Sequence, residues 1–446
     1  MAAPLSSNDP ALLAHLLRRT GFGWNAKDWK AAMGLGLSAV TQQRLHPEKV
    51  PDTLEEVQNT IVGDLVDLDN LDSIRQWWVF RMVHSSRQLE EKMTLFWHQH
   101  FATANYKVNN PRWMWQQIDM FRQNGLGNFR SLLLEVMRDP AMMIWLDGNT
   151  NRKGKANENF ARELMELFAL GVGNYTETDV KESARAFTGW VYDYSSQSFI
   201  FNPFLHDDGA KTFLGQTGNF HGEDIIDIVV HQPAAAKFIC TKLWQSFVND
   251  SPSEANLQPL IQKYFQGGFE IRPILETLFT SEEFYAPANR YACVKNPTEY
   301  AAGVLKTLQA PIPRDVARYT RNMGQDLLDP PSVKGWDGGD DWINTNTLSA
   351  RVDFTSNMVR LMTGRSSFGT QILDVYMNGD LAAAPQQAVQ LLWNTMLPGR
   401  ALNDSVQKVL VDYVQGGADA KSPKVISGKL PGLVNLVLGS PDYQLA

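Results

Sequence analysis

The sequence predicts a mainly α protein, a multi-helical globular array with one small β-hairpin insertion. Three observations predict it. Apolar residues recur at helical spacing through most of the chain, as in Leu12, Leu13, Leu16 and Leu17, or Met93, Phe96, Trp97 and Phe101. Helix punctuation bounds these stretches: Asp9-Pro10 offers an N-cap followed by proline at the first helical position, and Gly21 and Gly23 close the same segment. An alternating, aromatic-rich strand pattern occurs only from Trp190 to Phe204, followed by the turn dipeptide Asp208-Gly209.

In chain order, the first helix runs from Asp9 to Arg19. Lys27 to His46 reads as two short helices broken around Gly34-Leu35-Gly36. Leu71 to Ala104 reads as two long helices joined near Ser85-Ser86. Pro111 to Asn124, Phe129 to Asp139 and Glu158 to Leu170 follow, the last stopped by Gly171 and Gly173. Glu177 to Phe187 is introduced by Thr176-x-x-Asp179, a capping box with its acid in the first turn. The hairpin then occupies about 190–215, with Lys211 to Leu214 as return strand. Helices resume over Gly222 to Val230, Pro233 to Val248, Leu257 to Phe265, Ile271 to Thr280 and Pro297 to Leu308. Thr347 to Thr363, Pro385 to Trp393 and Leu402 to Tyr413 complete the set. The long irregular stretch 329–346 is expected to be ordered, because Trp336, Trp342 and Ile343 can anchor it.

A chain of 446 residues exceeds the size at which one core stops growing. It is expected to form one large helical domain, or two interlocked subdomains of about 1–250 and 251–446. A net charge of −7 with no basic run argues against a nucleic-acid binder. Two cysteines, Cys240 and Cys293, are too few for a disulfide framework, and Cys240 sits in an apolar helical pattern as a buried free thiol. No apolar run approaches the ~20 residues needed to span a bilayer. The N-terminal stretch lacks the basic and apolar regions of a secretory signal, so the chain as written is expected in the cytoplasm unless an export signal preceded it.

Five groups could carry chemistry. Glu158, Arg162 and Glu166 lie at i, i+4, i+8 with Glu163 beside them; they form either a solvated salt-bridged face or, if enclosed, a polar site. His98 and His100 are candidate metal ligands, but on a helix their rings point ~200° apart, and a hydrogen-bonded core histidine is the plainer reading. His206, Asp207 and Lys211 surround the Asp208-Gly209 turn and offer a ligand or acid/base, a metal-binding carboxylate and a cation. Lys237 and Lys242 border an apolar helix face, where snorkelling alone explains them. Trp336 and Arg351, in and beyond the glycine-rich loop, could contact substrate, Arg351 through an anion. Motifs for nucleotide binding, zinc proteases, serine hydrolases and paired Cys-x-x-Cys sites are absent.

Several phrases, taken in order, resemble the bacterial domain-of-unknown-function 1800 family. They are HLLRRTGFG (His15 to Gly23), LFWHQHFAT (Leu95 to Thr103) and NENFARELMELFALGVGNYTETDVKESARAFTGW (Asn157 to Trp190). HDDGAKTFLGQTG (His206 to Gly218), QPAAAKFICTKLWQSFV (Gln232 to Val248) and PPSVKGWDGGDDWI (Pro330 to Ile343) continue the series. The resemblance spans nearly the whole chain. It implies a helical protein, often exported, often encoded beside a family that resembles sulfatases and alkaline phosphatases; it implies no particular reaction.

The preferred expectation is an enzyme, or an enzyme's partner, acting on an anionic or glycan-like substrate. Glu158 or Glu166 would serve as base or metal ligand, His206 as ligand or acid/base, and Arg162 and Lys211 would hold negative charge. Lys242, Trp336 and Arg351 would bind substrate, and His98, His100 and Asp207 would hold a divalent metal where one binds; the sequence names no cofactor. The rival expectation is a helical binding or scaffold protein, companion to a sulfatase-like protein. Its aromatic hairpin and Trp336 loop would then be contact surfaces.

Overall fold

The computed structural model describes residues 9–52, 54, 66–363, 385–416 and 423–446. The first helices are α1 (Pro10–Arg19), α2 (Ala26–Leu35), α3 (Leu37–Leu45), α4 (Leu71–His84), α5 (Gln88–His100) and α6 (Asn105–Val108). They are followed by α7 (Pro111–Asn124), α8 (Phe129–Arg138), α9 (Pro140–Trp145), α10 (Glu158–Glu163) and α11 (Glu177–Ala186). After the β-insertion come α12 (Gly222–Val230), α13 (Pro233–Phe247), α14 (Glu254–Gln266), α15 (Ile271–Phe279), α16 (Pro297–Leu308) and α17 (Val316–Asn322). The last are α18 (Thr345–Thr363), α19 (Pro385–Met396), α20 (Asp404–Gln415) and α21 (Pro423–Leu438). The protein is mainly α, as the periodicity predicts.

The punctuation works as expected. Asp9 accepts the Ala11 N–H at 2.8 Å with Pro10 at the first helical position, and Thr176 and Asp179 close their capping box reciprocally. Among the described residues, four helices escape the periodicity. Two of them, α6 and α9, are too short to show a period, and α21 carries Pro431 inside it. The fourth, α17, is also short.

The β-insertion differs from expectation. Trp190–Asp193 (β1) pairs with Ser198–Phe201 (β2), both inside the stretch read as one strand. Lys211–Phe213 (β3) pairs instead with Gln216–Gly218 (β4). The first turn has no glycine signal because Asp193 does the work: its carboxylate accepts from the Ser195 and Ser196 amides and hydroxyls. The second turn is Leu214-Gly215, both left-handed at φ 47° and 80°, which suits a two-residue hairpin. Asp208-Gly209 is therefore not the hairpin turn. Gly209 instead donates its N–H to Asp207 Oδ1 at 2.9 Å.

One contiguous apolar cluster runs from Leu12 to Tyr443 and takes in helices from both halves of the chain. Trp78, Trp97, Phe101 and Phe129 lie wholly inside it. A buried charge cluster joins α4, α5 and α7 within this frame. Arg81 Nε and Arg122 Nε both donate to Glu91 Oε1, at 2.6 and 2.9 Å, and Arg81 also reaches Asp52 at 3.2 Å. Burial pushes the Glu91 carboxyl up, but Arg122 and Arg81 outweigh it and hold it below the usual carboxylate range.

Candidate functional site

The helix read as Glu158 to Leu170 is α-helical only to Glu163. Leu164–Ala169 forms a π-turn, in which the Leu170 and Gly171 amides both donate to Met165 O at 2.9 Å. Such turns carry an extra residue and are frequent at functional sites. Gly171, at φ 80°, then ends the helix. The effect on the Glu-Arg-Glu stripe is decisive. Arg162 stays outside, with Nη1 and Nη2 donating to both oxygens of Glu177 at 2.8 Å and Glu158 3.5 Å away. Glu166 instead faces a cleft, where its Oε2 accepts from Tyr175 Oη at 2.7 Å.

The cleft has a volume of about 640 Å³. Its walls come from the end of α5, the π-turn, α13, the segment 293–299 and the loop 334–342. His100, Glu166, Lys242 and Trp336 meet here, joined by Gln99, Asp250, Glu299 and Asp340. Each is held differently. His100 Nε2 donates to Phe168 O at 2.9 Å, a carbonyl in the π-turn. Burial, with Lys242 adding to it, lowers the His100 pKa to about 3 against that bond. The ring is therefore neutral, with Nδ1 as its acceptor. It therefore offers the cleft a hydrogen-bond acceptor.

Lys242 stands 5.5 Å from the Phe238 ring centroid and has no ion pair among the described residues. Burial, then Lys334, lowers its pKa. The Asp250 carboxylate, the Gln99 amide and the Trp336 indole N–H likewise have no hydrogen-bond partner among the described residues. Glu299 is committed, paired with Lys92 and closing the capping box of α16 with Asn296. Arg19 lines the cleft but is spent on the end of α13, donating to Phe247 O at 2.9 Å and Ser246 O at 2.7 Å. Trp336 lies with its ring centroid 5.7 Å from His98 and 6.5 Å from the buried Trp342. Gly335 sets this position: at φ 83°, its missing Cβ would stand 2.8 Å from Gln99 O.

The remaining predicted site residues lie elsewhere. His98 is a core histidine: Nε2 accepts from the Leu328 amide at 3.1 Å, the ring sits edge-on to Trp78, and burial lowers its pKa to about 3. His206 is buried in the β-insertion, with Nδ1 donating to Thr188 O at 2.8 Å and its ring stacked on His221 at 4.3 Å. Lys211 donates to Asp207 O at 2.6 Å and Gly209 O at 3.0 Å, so it clasps the loop rather than a ligand. Asp207 accepts from Arg185 Nε at 2.8 Å and Nη2 at 3.1 Å, which holds its carboxyl well below the usual range. Arg351 is buried against Gln444 and the Lys295 carbonyl, outside the cleft. His98, His100 and Asp207 do not meet, and among the described residues no three His, Cys, Asp or Glu side chains gather as a metal site. Asp207→Ala is accordingly expected to lower stability by about 1.5–3 kcal/mol, as Arg185 and the Gly209 amide lose their acceptor. Chemical denaturation checks this, and a loss below 0.5 kcal/mol (order of magnitude) would remove the clasp.

Sequence reasoning missed Asp250, Gln99 and Glu299. Asp250 follows the end of α13 as an ordinary loop acid, and Glu299 carries only the signature of a capping box. Cys240 and Cys293 are both buried free thiols, with burial pushing Cys240 up to about 12. No helix among the described residues is long and apolar enough to cross a membrane.

No curated protein and no solved structure matches the chain. The family described as "Protein of unknown function (DUF1800)" matches residues 15–445, a span that contains all six phrases, and the chain belongs to that family.

Proposed function

We propose that the protein is a hydrolytic enzyme acting on a glycan-like substrate that carries a negatively charged group, seated in the cleft of His100, Glu166, Lys242 and Trp336. One observation carries the reading: four distant segments bring an aromatic face, carboxylates and Lys242, which has no ion pair among the described residues, to one cleft while leaving several polar groups uncommitted. Concave sites with a few convergent polar groups are the usual form of small-molecule sites.

Each residue takes a role from its surroundings. Trp336 offers a flat face to a sugar ring, and Asp250 and Gln99 offer acceptors and donors to hydroxyls. Lys242 holds the anionic substituent; the other expected cations, Arg162 and Lys211, are engaged elsewhere. Glu166, steadied by Tyr175, is the carboxylate that takes a proton from an attacking water as the glycosidic C–O bond breaks, and the departing oxygen takes its proton from solvent in the cleft. His100 accepts a hydrogen bond through Nδ1 and orients substrate or water.

A panel of neutral and uronic-acid oligosaccharides, followed by calorimetry and by release of reducing ends, tests this. Glu166→Gln is expected to lower turnover by about 10²–10⁴-fold with binding retained. Trp336→Ala is expected to weaken binding about tenfold, an aromatic contact of about 1.4 kcal/mol. Unchanged turnover in Glu166→Gln would remove it from the chemistry. Failure of the whole panel to bind would move weight to a docking role. One observation favours that second reading: Phe204 and Tyr194 of the β-insertion are 92% and 60% exposed. The sulfatase-like protein implied by the family resemblance is then the partner, and Phe204→Ser with Tyr194→Ser would abolish its capture.

A further inference from the structure

Behind the cleft lies a second, much smaller cavity of about 30 Å³, sharing Glu299 as a wall. Its other walls include Arg18, Lys295, Trp24 and Tyr443. Arg18 belongs to α1 and is buried, yet none of its three guanidinium nitrogens has a hydrogen-bond partner among the described residues. The guanidinium lies 3.9 Å above the Tyr291 ring centroid and 5.8 Å from that of Trp24. Its faces are thus covered by aromatics while its in-plane donors are unused. Arginine keeps its charge when buried, so this is a desolvated cation with unsatisfied donors.

The surroundings sharpen the imbalance. Lys295 is also buried; it donates to Tyr443 O at 2.6 Å and has no carboxylate partner. The largest charges acting on it are Arg18, Arg351 and Lys92 against the Glu299 carboxylate, which is already paired with Lys92; Ala446 also lines the cavity, its amide bonded to Cys293 O at 2.8 Å. Arg19 and Arg290 add further positive charge around Arg18.

We propose that this cavity is a binding site for a compact monoanion, held in the plane of the Arg18 guanidinium with Lys295 beside it. The size fits. A water molecule needs roughly 10–15 Å³ of such volume, so the cavity holds about two water-sized groups, the scale of a formate or acetate carboxylate or a chloride ion. The fork of guanidinium N–H donors matches a planar carboxylate best. A tetrahedral dianion is too large. The site stands apart from the proposed chemistry of the cleft and does not depend on it.

Thermal unfolding of the full chain in acetate, chloride and sulfate at one fixed ionic strength tests the site. Equilibrium dialysis with radiolabelled acetate accompanies it. Acetate is expected to raise Tm by about 2 °C over sulfate and to bind once per chain. A rise with chloride alone would place a halide in the same site. Arg18→Met is expected to abolish both the binding and the Tm difference; Lys295→Met, expected to weaken them at least tenfold, stands in if Arg18→Met does not fold. Equal Tm in all three salts with no bound acetate would mean that the chain's own carboxylates neutralise Arg18, and would overturn the proposal. So would an undiminished anion effect in both variants.

Discussion

Glu91→Ala is expected to destabilise the protein by about 3–5 kcal/mol. The carboxylate is fully buried and receives the Nε donors of Arg81 and Arg122 at 2.6 and 2.9 Å. Removing it takes their shared buried acceptor from both guanidinium groups, while among the described residues Arg81 still reaches Asp52 and Arg122 still reaches Asp119. The damage arises from two buried guanidinium groups left short of acceptors more than from the lost pair. Replacing Glu91, Arg81 and Arg122 together by methionine is therefore expected to recover much of the loss. Urea unfolding of the single and triple variants checks both statements. A single-variant loss below 1 kcal/mol (order of magnitude) would show that the cluster is hydrated. The same group sets a pH dependence. Its folded pKa is depressed, so its stabilisation is complete above the ordinary carboxylate range and is lost as pH falls through the lowered folded value. Glu91→Gln is expected to flatten that acid limb. Because Glu91 lies on α5, the helix that ends in Gln99 and His100, the cluster also fixes one wall of the cleft.

Gly335→Ala is expected to weaken cleft binding at least tenfold while leaving the fold intact. Left-handed backbone costs an alanine roughly 1–2 kcal/mol, and the added Cβ would stand 2.8 Å from the Gln99 carbonyl. That carbonyl belongs to the last turn of α5 and cannot give way, so the loop must move and carry Trp336 with it. The expected result is at least a tenfold loss of ligand affinity with only a small drop in Tm. Gly154→Ala separates strain from collision: it sits at φ 78° with nothing within 4 Å of its added Cβ. If both variants bind ligand like the parent, the loop does not shape the cleft.

The sequence made the helical frame legible because that frame rests on local signals. Proline, Asx and glycine punctuation placed most boundaries within a few residues. Where structure depends on a distant neighbour, the pattern misled. Glu158, Arg162 and Glu166 form one stripe only in an unbroken α-helix; the π-turn after Glu163 turns Glu166 toward the cleft and leaves Arg162 with Glu177. Asp208-Gly209 looked like a hairpin turn, but the turns are made by the Asp193 carboxylate and by Leu214-Gly215. His98 and His100, two residues apart, part company because a helix sends one ring to the Leu328 amide and the other to the Phe168 carbonyl. Asp250 and Gln99 gain meaning only when α13, α5 and the loop 334–342 meet, which no local pattern encodes.

The walls of the cleft reach from Arg19 to Trp342 along the chain. During synthesis, the segment bearing Glu166 emerges well before the loop bearing Trp336. Until that loop docks on α5, the carboxylate faces open water and the aromatic wall is missing. On the proposed function, competence therefore arrives late, as a property of the finished fold. On that function, a nascent or truncated chain would hold Glu166 without the aromatic surface that binds substrate, and is expected to be inactive.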